Sequence, residues 1–145
     1  MTAQPVDPLT SDASQIIELA HELVGRIWGH MMARAAELNL SIAEAKALQH
    51  LEPARAMPMR ALAARLHANP SNVTVIVARL EARGLLVREV SGDRRVKGVR
   101  LTRQGLELRS RLEARLAADH PTVQGLSPAE QRSLLQLLRK LNAQA

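Results

Sequence analysis

"SNVTVIVARLEARGLL" (residues 71–86) combines two kinds of surface on one predicted helix. Its first residues are small and polar, whereas the apolar residues that follow recur every three or four positions, as on a helix with one buried face. Asn69 is a favoured N-cap, Pro70 suits the first helical position, and Gly84 suits the position just beyond the last turn. The sequence therefore predicts a helix from Pro70 to about Arg83. Its apolar ridge consists of Val73, Ile76, Val77 and Leu80.

Helical spacing of apolar residues dominates the rest of the chain. Capping boxes at Ser41 with Glu44 and at Ser127 with Glu130 mark two helix starts, and Thr102 can cap a third. Between the fourth and fifth helices, β-branched residues on both sides of a Gly-Asp turn predict a β-hairpin with a basic tip. The fold class is therefore mainly α with a small β-wing. The predicted helices cover about residues 13–38, 42–52, 59–67, 70–83, 103–118 and 128–142.

The composition excludes several classes of protein. The 145 residues suffice for one domain, whose core must be aliphatic because the chain has one Trp and no Phe or Tyr. The absence of Cys excludes disulfides, cysteine metal ligands and thiol-based sensing. No apolar run could span a membrane, and the N-terminus lacks the features of a secretory signal. We expect a cytoplasmic protein with a flexible leader at residues 1–12 and one domain at 13–145.

The net charge of +6 is concentrated in the middle of the chain. Residues 1–53 carry 3 basic and 7 acidic side chains, residues 54–118 carry 14 basic and 5 acidic, and residues 119–145 carry 3 basic and 2 acidic. A basic segment beside an acidic one favours a binding site for a polyanion, although a solvated surface would have the same composition.

The order of helix, short turn, helix and basic hairpin is that of a winged helix-turn-helix. In such a unit the second helix lies in the major groove of DNA, and its positive N-terminal end favours phosphate. This lobe would span about residues 41–101. We expect the 70–83 helix to contact DNA with the face opposite its apolar ridge. The contact residues would be Ser71, Asn72, Thr74, Val75, Ala78 and Arg79.

The chain resembles the MarR-type transcriptional regulators over about residues 14–143. The matching segments are "MRALAARLHANPSNVTVIVARLEARGLLVRE" (59–89), "GDRRVKGVRLTRQGLEL" (92–108) and "LSPAEQRSLLQLLRKL" (126–141). The succession of R-L-E-A-R-G-L-L-V-R, D-R-R and V-x-L-T-x-x-G is a specific combination, whereas each piece alone is a weak signal.

The resemblance implies a homodimer joined by helices at both ends of the chain, at about 13–38 and 103–143. It implies a wing whose tip enters the minor groove through Asp93 and Arg95, with Arg94 beside them, because a narrow minor groove attracts arginine. The operator would be a double-stranded pseudo-palindrome with half-sites about one helical turn apart. A small-molecule effector would bind between the dimer helices and the DNA-binding lobe.

Three positions depart from the pattern of the family. Many members carry a basic residue where this chain has Val75 and an Asp where it has Ala78, so direct base readout by an arginine at position 75 is absent. Val75 could contact only a thymine methyl group or a sugar, and Arg79 and Thr74 become the candidates for base contacts. Ala45 stands where the family often has Phe or Tyr.

Several residues allow two interpretations. Trp28 and Met32 suit a core or an interface, but together with Ala45 they could line the effector cavity that the resemblance implies. Arg88 and Lys97 could be solvated or could contact phosphate, and the wing assignment favours phosphate. The histidines lack the i, i+4 pairing typical of a helical zinc site, so we expect no metal. They are His21, His30, His50, His67 and His120.

The leading hypothesis is a sequence-specific regulator, most often a repressor, whose dimer releases DNA when a small molecule binds. The alternative is an architectural helical dimer that binds nucleic acid without sequence preference. An enzyme is disfavoured, and no cofactor is expected, because the sequence has no nucleophile–base set, no Gly-rich phosphate loop and no paired carboxylates of a cleft. Single-stranded ligands and RNA are disfavoured because the basic segment has no aromatic side chain to stack on bases.

Overall fold

The structure, a computed structural model, describes residues 12–90 and 97–143. It confirms the prediction of a mainly α chain with a small β-sheet, and each predicted helix is present. The second helix ends at His50 rather than near Glu52, because Leu51 is already extended. The elements are α1 (Asp12–Ala36), α2 (Ile42–His50), β1 (Met57–Pro58), α3 (Met59–Leu66), α4 (Pro70–Ala82), β2 (Leu86–Val90), β3 (Lys97–Leu101), α5 (Arg103–Ala117) and α6 (Pro128–Asn142).

The chain divides into two compact units. The core unit spans Met31–Ala118, and the terminal unit combines residues 1–30 with residues 119–145. Helix α1 is shared between them, whereas α2 to α5 and the sheet belong to the core unit and α6 to the terminal unit. Within the described ranges no helix is both long enough and apolar enough to cross a membrane.

Aliphatic side chains fill the core unit. Leu80 of α4, Leu62 of α3 and Leu112 of α5 are completely buried, and alanines of α2 let the helices approach closely. Each such leucine contributes about 1.5–3 kcal/mol by its burial, so the core does not depend on aromatic side chains. The sequence assigned α5 to dimerisation, but three of its leucines pack in this core, so a partner would meet the other faces of α5. They are Leu108, Leu112 and Leu116.

The sheet is antiparallel, with strand order β1-β3-β2. Strand β2 pairs with β3 from Leu86 opposite Leu101 to Val90 opposite Lys97, as a hairpin requires. Strand β1 adds Met57 opposite Val99 on the other edge of β3. The sequence did not predict β1, because two residues show no alternation and proline is disfavoured inside strands.

The predicted helix caps are confirmed. At α2, the Ser41 backbone N–H donates to Glu44 Oε2 at 2.8 Å, and the Glu44 N–H donates to Ser41 Oγ at 3.2 Å. The same pair of bonds joins Ser127 and Glu130 at the start of α6. The hydrogen bonds from the Ser127 backbone and side chain lower the pKa of the Glu130 carboxyl, because they favour its charged form. Thr102 Oγ1 accepts from the Gly105 N–H at 3.1 Å and caps α5.

The first turn of α5 packs against the backbone of Gly84 and Leu85, which lie just after α4. The Thr102 hydroxyl donates to the Gly84 carbonyl oxygen at 2.5 Å, and the Thr102 N–H donates to the Leu85 carbonyl oxygen at 3.1 Å. A Cβ atom added at Gly105 would lie 2.0 Å from that same Leu85 oxygen. Glycine is therefore required here by the close approach of two backbones, and this explains the L-T-x-x-G pattern of residues 101–105.

We expect Gly105→Ala to lower the free energy of unfolding by about 2 kcal/mol or more, since overpacking typically costs about 1–3 kcal/mol and no flexible side chain can yield here. Urea denaturation monitored by circular dichroism measures this value. Ser110→Ala, at an exposed position of the same helix, is the control and should not destabilise the protein. A Gly105→Ala variant as stable as the parent would contradict the packing of α5 on Leu85.

Candidate nucleic-acid interface

Helix α4 begins at Pro70 because Asn69 caps it. The Asn69 Oδ1 atom accepts a hydrogen bond from the Asn72 N–H at 3.0 Å and a second from the Ser71 hydroxyl at 2.6 Å. Pro70 occupies the first turn, where no N–H is needed. The N-terminal signals read from the sequence are thus confirmed, and they fix where the polar front of the helix lies.

Gly84 ends the helix by adopting a left-handed conformation, with φ of 70°. The Gly84 N–H donates to the Glu81 carbonyl and the Leu85 N–H donates to the Leu80 carbonyl, both at 2.9 Å. This pair of bonds is the Schellman motif, and glycine adopts its backbone conformation without strain. The predicted role of Gly84 is therefore confirmed.

The two faces of α4 divide as the sequence predicted. Val73, Val77 and Leu80 are completely buried, and Ile76 is half-buried against them. All the residues proposed for DNA contact are exposed on the rest of the helix surface. They are Ser71, Asn72, Thr74, Val75, Ala78 and Arg79.

The polar atoms of this exposed face are not equally available. The Thr74 hydroxyl donates to the Pro70 carbonyl oxygen at 2.9 Å, and the Ser71 hydroxyl is directed to Asn69. The Arg79 guanidinium has no carboxylate partner among the described residues. Glu81, the acidic residue of the helix, accepts instead from Arg88 Nε at 3.0 Å. Considering only the residues that the structure describes, this face presents one unpaired cation, Arg79, and no unpaired anion.

The hairpin beside α4 is the predicted wing, and the structure describes only its base. Arg88 pairs with Glu81, and Arg100 pairs with Glu89 across the two strands. Asp93, Arg94 and Arg95 lie outside the described residues, and so does the side chain of Lys97, whose backbone pairs with Val90.

Three arginines of the basic segment donate hydrogen bonds to backbone carbonyl oxygens of this chain. Arg83 donates to the carbonyl oxygens of Asn39 at 2.7 Å and of Leu38 at 3.4 Å. Arg65 donates to the His50 carbonyl oxygen at 3.0 Å, and Arg109 donates to that of Leu51. Sequence analysis missed these contacts, because nothing near the arginines marks a carbonyl that is 15 to 58 residues away.

These carbonyls belong to chain segments that end helices. Arg65 and Arg109 hold the end of α2, where the last carbonyls have no partner within the helix. Burial lowers the pKa of His50, and the neighbouring charges of Arg65 and Lys46 lower it further, because both effects disfavour the charged imidazole. Part of the positive charge of residues 54–118 is therefore used in hydrogen bonds that stabilise the fold.

The residues proposed for an effector cavity lie in both units. Ala45 has no exposed surface and belongs to the core of the core unit. Met32, in the same unit, is 60% exposed, whereas Trp28, in the terminal unit, is 39% exposed. No group of three or more metal-ligating side chains occurs in the described ranges.

The central part of the chain matches a known family. Residues 40–97 match the model of the MarR family, and these residues include the cap of α2, the complete α4 and most of the hairpin. A comparison with curated protein sequences found no match.

Solved structures similar to this chain cover almost all of it. A MarR-family transcriptional regulator from Silicibacter pomeroyi has a TM-score of 0.77 and 27% identity, covering 97% of this chain and 96% of that one. CouR from Rhodococcus jostii, in a structure bound to p-coumaroyl-CoA, has a TM-score of 0.75 and 26% identity, covering 91% and 94%. BpsR from Bordetella bronchiseptica, whose DNA binding is regulated by 6-hydroxynicotinic acid, has a TM-score of 0.73 and 25% identity, covering 88% and 98%.

Proposed function

We propose that this chain, whose residues 40–97 match the MarR family model and whose fold is that of MarR-family transcriptional regulators, is a homodimeric repressor that binds a specific double-stranded operator and is released by a small molecule. The observation that carries the proposal is helix α4, whose apolar ridge is buried while its polar and cationic side chains are exposed. The major groove of B-DNA admits a helix, and base edges are distinguishable there. The net positive charge of residues 54–118 supplies attraction to phosphate.

The terminal unit supports self-association. None of its described residues is buried, although α1 and α6 carry many large apolar side chains. An exposed apolar surface of this extent normally marks an interface. A second copy of the chain is the proposed partner, because two-fold symmetric dimers match operators built from inverted half-sites. The exposed side chains include Ile16, Ile17, Leu19, Val24, Leu135, Leu137, Leu138 and Leu141.

Small-molecule control is proposed by analogy with two similar proteins. The DNA binding of BpsR is regulated by 6-hydroxynicotinic acid, and CouR was solved bound to p-coumaroyl-CoA. An effector releases DNA only if it binds more tightly to a dimer whose recognition helices do not fit successive major grooves. Of the residues proposed for its site, Met32 is exposed, whereas Ala45 offers no surface to a ligand. Exposed apolar side chains such as Met32 are typical of pockets for small ligands.

Selection of bound duplexes from a random library at about 150 mM salt tests the proposal. We expect an inverted repeat with half-sites about 10 base pairs apart, bound roughly a thousandfold more tightly than random DNA. The DNA affinity of a regulator and that of an architectural protein both fall as the salt concentration rises. Salt dependence alone therefore does not separate the two functions. Enrichment without a sequence motif would contradict the proposal and favour the architectural alternative.

The wing assignment predicts that Arg95→Ala weakens operator binding by about 1–3 kcal/mol per subunit, because a groove contact is lost. Fluorescence anisotropy with a labelled operator measures the change, and light scattering should show an unchanged dimer. Arg111→Ala removes the same charge from an exposed position of α5 and is the control. If Arg95→Ala binds like the control, the wing does not contact DNA.

The dimer assignment predicts that Leu138→Glu produces a monomer, because a charge would be buried in an apolar interface. Leu138 is 41% exposed within one chain, so the substitution should be tolerated by the isolated fold. Sedimentation velocity across a concentration series measures the mass. Gln136→Glu, at an exposed polar position of the same helix, should remain dimeric. A dimeric Leu138→Glu variant would place the interface elsewhere.

A further inference from the structure

The exposed front of α4 carries an apolar patch where a helix that reads DNA usually carries hydrogen-bonding side chains. Val75 is 51% exposed, and Thr74 and Ala78 are exposed beside it. Residues three and four positions apart are neighbours on a helix surface, so Ala78 lies next to both of the others. We call Thr74, Val75 and Ala78 the methyl patch, because each contributes a methyl group.

The two hydroxyl groups beside the methyl patch, those of Thr74 and Ser71, both donate within the helix itself. The Thr74 hydroxyl donates to the Pro70 carbonyl oxygen at 2.9 Å, so the remaining substituent on its Cβ is a methyl group. The Ser71 hydroxyl donates to Asn69 Oδ1 at 2.6 Å, and the Asn72 N–H donates to the same oxygen. The bond from the Asn72 N–H is the helix cap, so this backbone donor is unavailable to a base.

Val75 is not explained by folding. It lies outside the buried core, and a β-branched residue is a weaker helix former than alanine. Its side chain is held in one preferred rotamer by the helix backbone, so little freedom is lost when it contacts a ligand. A rigid apolar group at the centre of the exposed face is therefore suited to recognition by shape and apolar contact.

Only one base offers an apolar group in the major groove. Thymine carries a C5-methyl group there, whereas the guanine, adenine and cytosine edges present hydrogen-bond donors and acceptors. A polar edge placed against the methyl patch would lose its water without gaining a partner. The patch therefore accepts a thymine methyl group and disfavours the other bases at that position.

Arg79 lies one turn beyond Val75 on the same side of the helix. The rise between them is about 6 Å, so the two side chains can meet bases that are at most about two stacked base pairs apart. Its guanidinium has no carboxylate partner in the described part of the chain, because Glu81 is paired with Arg88. The preferred base partner of an arginine in the major groove is guanine, through O6 and N7.

We infer that Val75, at the centre of the methyl patch, reads the methyl group of a thymine in each operator half-site, and that Arg79 reads a guanine about two base pairs away. This inference rests on the proposed function, because it requires α4 to enter the major groove. It assigns the specificity of the helix to one apolar contact and one charged contact.

Deoxyuridine scanning tests the Val75 contact, because it removes only the methyl group. Each thymine of the selected operator is replaced in both half-sites, and the Kd is measured by anisotropy. We expect one thymine position at which replacement in both half-sites weakens binding by about 15-fold, since burial of one CH₂-sized group contributes roughly a fourfold effect per half-site. Val75→Ala should lose this sensitivity and should fold normally, because alanine is the better helix former. Val123→Ala, an exposed valine of the terminal unit, should keep it.

The Arg79 contact is tested with 7-deazaguanine, which lacks the N7 acceptor. Replacement of a guanine within about two base pairs of the sensitive thymine should weaken binding to the parent but not to Arg79→Ala. Specific operator binding without any deoxyuridine-sensitive thymine, or equal sensitivity in Val75→Ala, would overturn the inference and leave the proposed function intact. Failure to select any operator would instead overturn the proposed function.

Discussion

The close approach of Gly105 to the Leu85 carbonyl oxygen is the constraint on which the arrangement of the core unit depends. The Leu85 N–H donates to the Leu80 carbonyl oxygen in the last backbone bond of α4, and the Leu85 carbonyl oxygen accepts from the Thr102 N–H. Leu85 therefore joins the end of α4 to the start of α5 through its backbone alone. Because β2 begins at the next residue, the same junction sets where the wing leaves the lobe.

Arginines serve two separate purposes in this lobe. Arg65, Arg83 and Arg109 donate to carbonyl oxygens at the ends of helical segments, where those acceptors have no other partner in the backbone. Arg79 has no such partner and is available to a ligand. The net charge of residues 54–118 therefore overstates the charge that is available to a ligand. Only the hydrogen bonds distinguish the arginines that stabilise the fold from those that are exposed and unpaired.

Local features of the fold were predictable from sequence, and long-range ones were not. Asn69, Pro70 and Gly84 define the ends of α4 by bonds within five residues, so their residue types alone were informative. Strand β1 exists only because β3 supplies its partner, 40 to 42 residues away, and its own sequence carries no strand signal. The division of α4 into a buried and an exposed face followed from spacing, but the pairing of Arg88 with Glu81 depended on how the hairpin folds back.

The bonds from Arg83 also couple α4 to the chain segment that follows α1. Arg83 caps the end of α4, and its guanidinium holds the carbonyls of Leu38 and Asn39, with Asn39 in a left-handed turn. A displacement of that turn either carries the end of α4 with it or breaks two hydrogen bonds from a charged donor, each worth about 1.5–3 kcal/mol. The position of the turn at Asn39 is therefore coupled, through these two hydrogen bonds, to the end of the helix whose exposed face carries Val75.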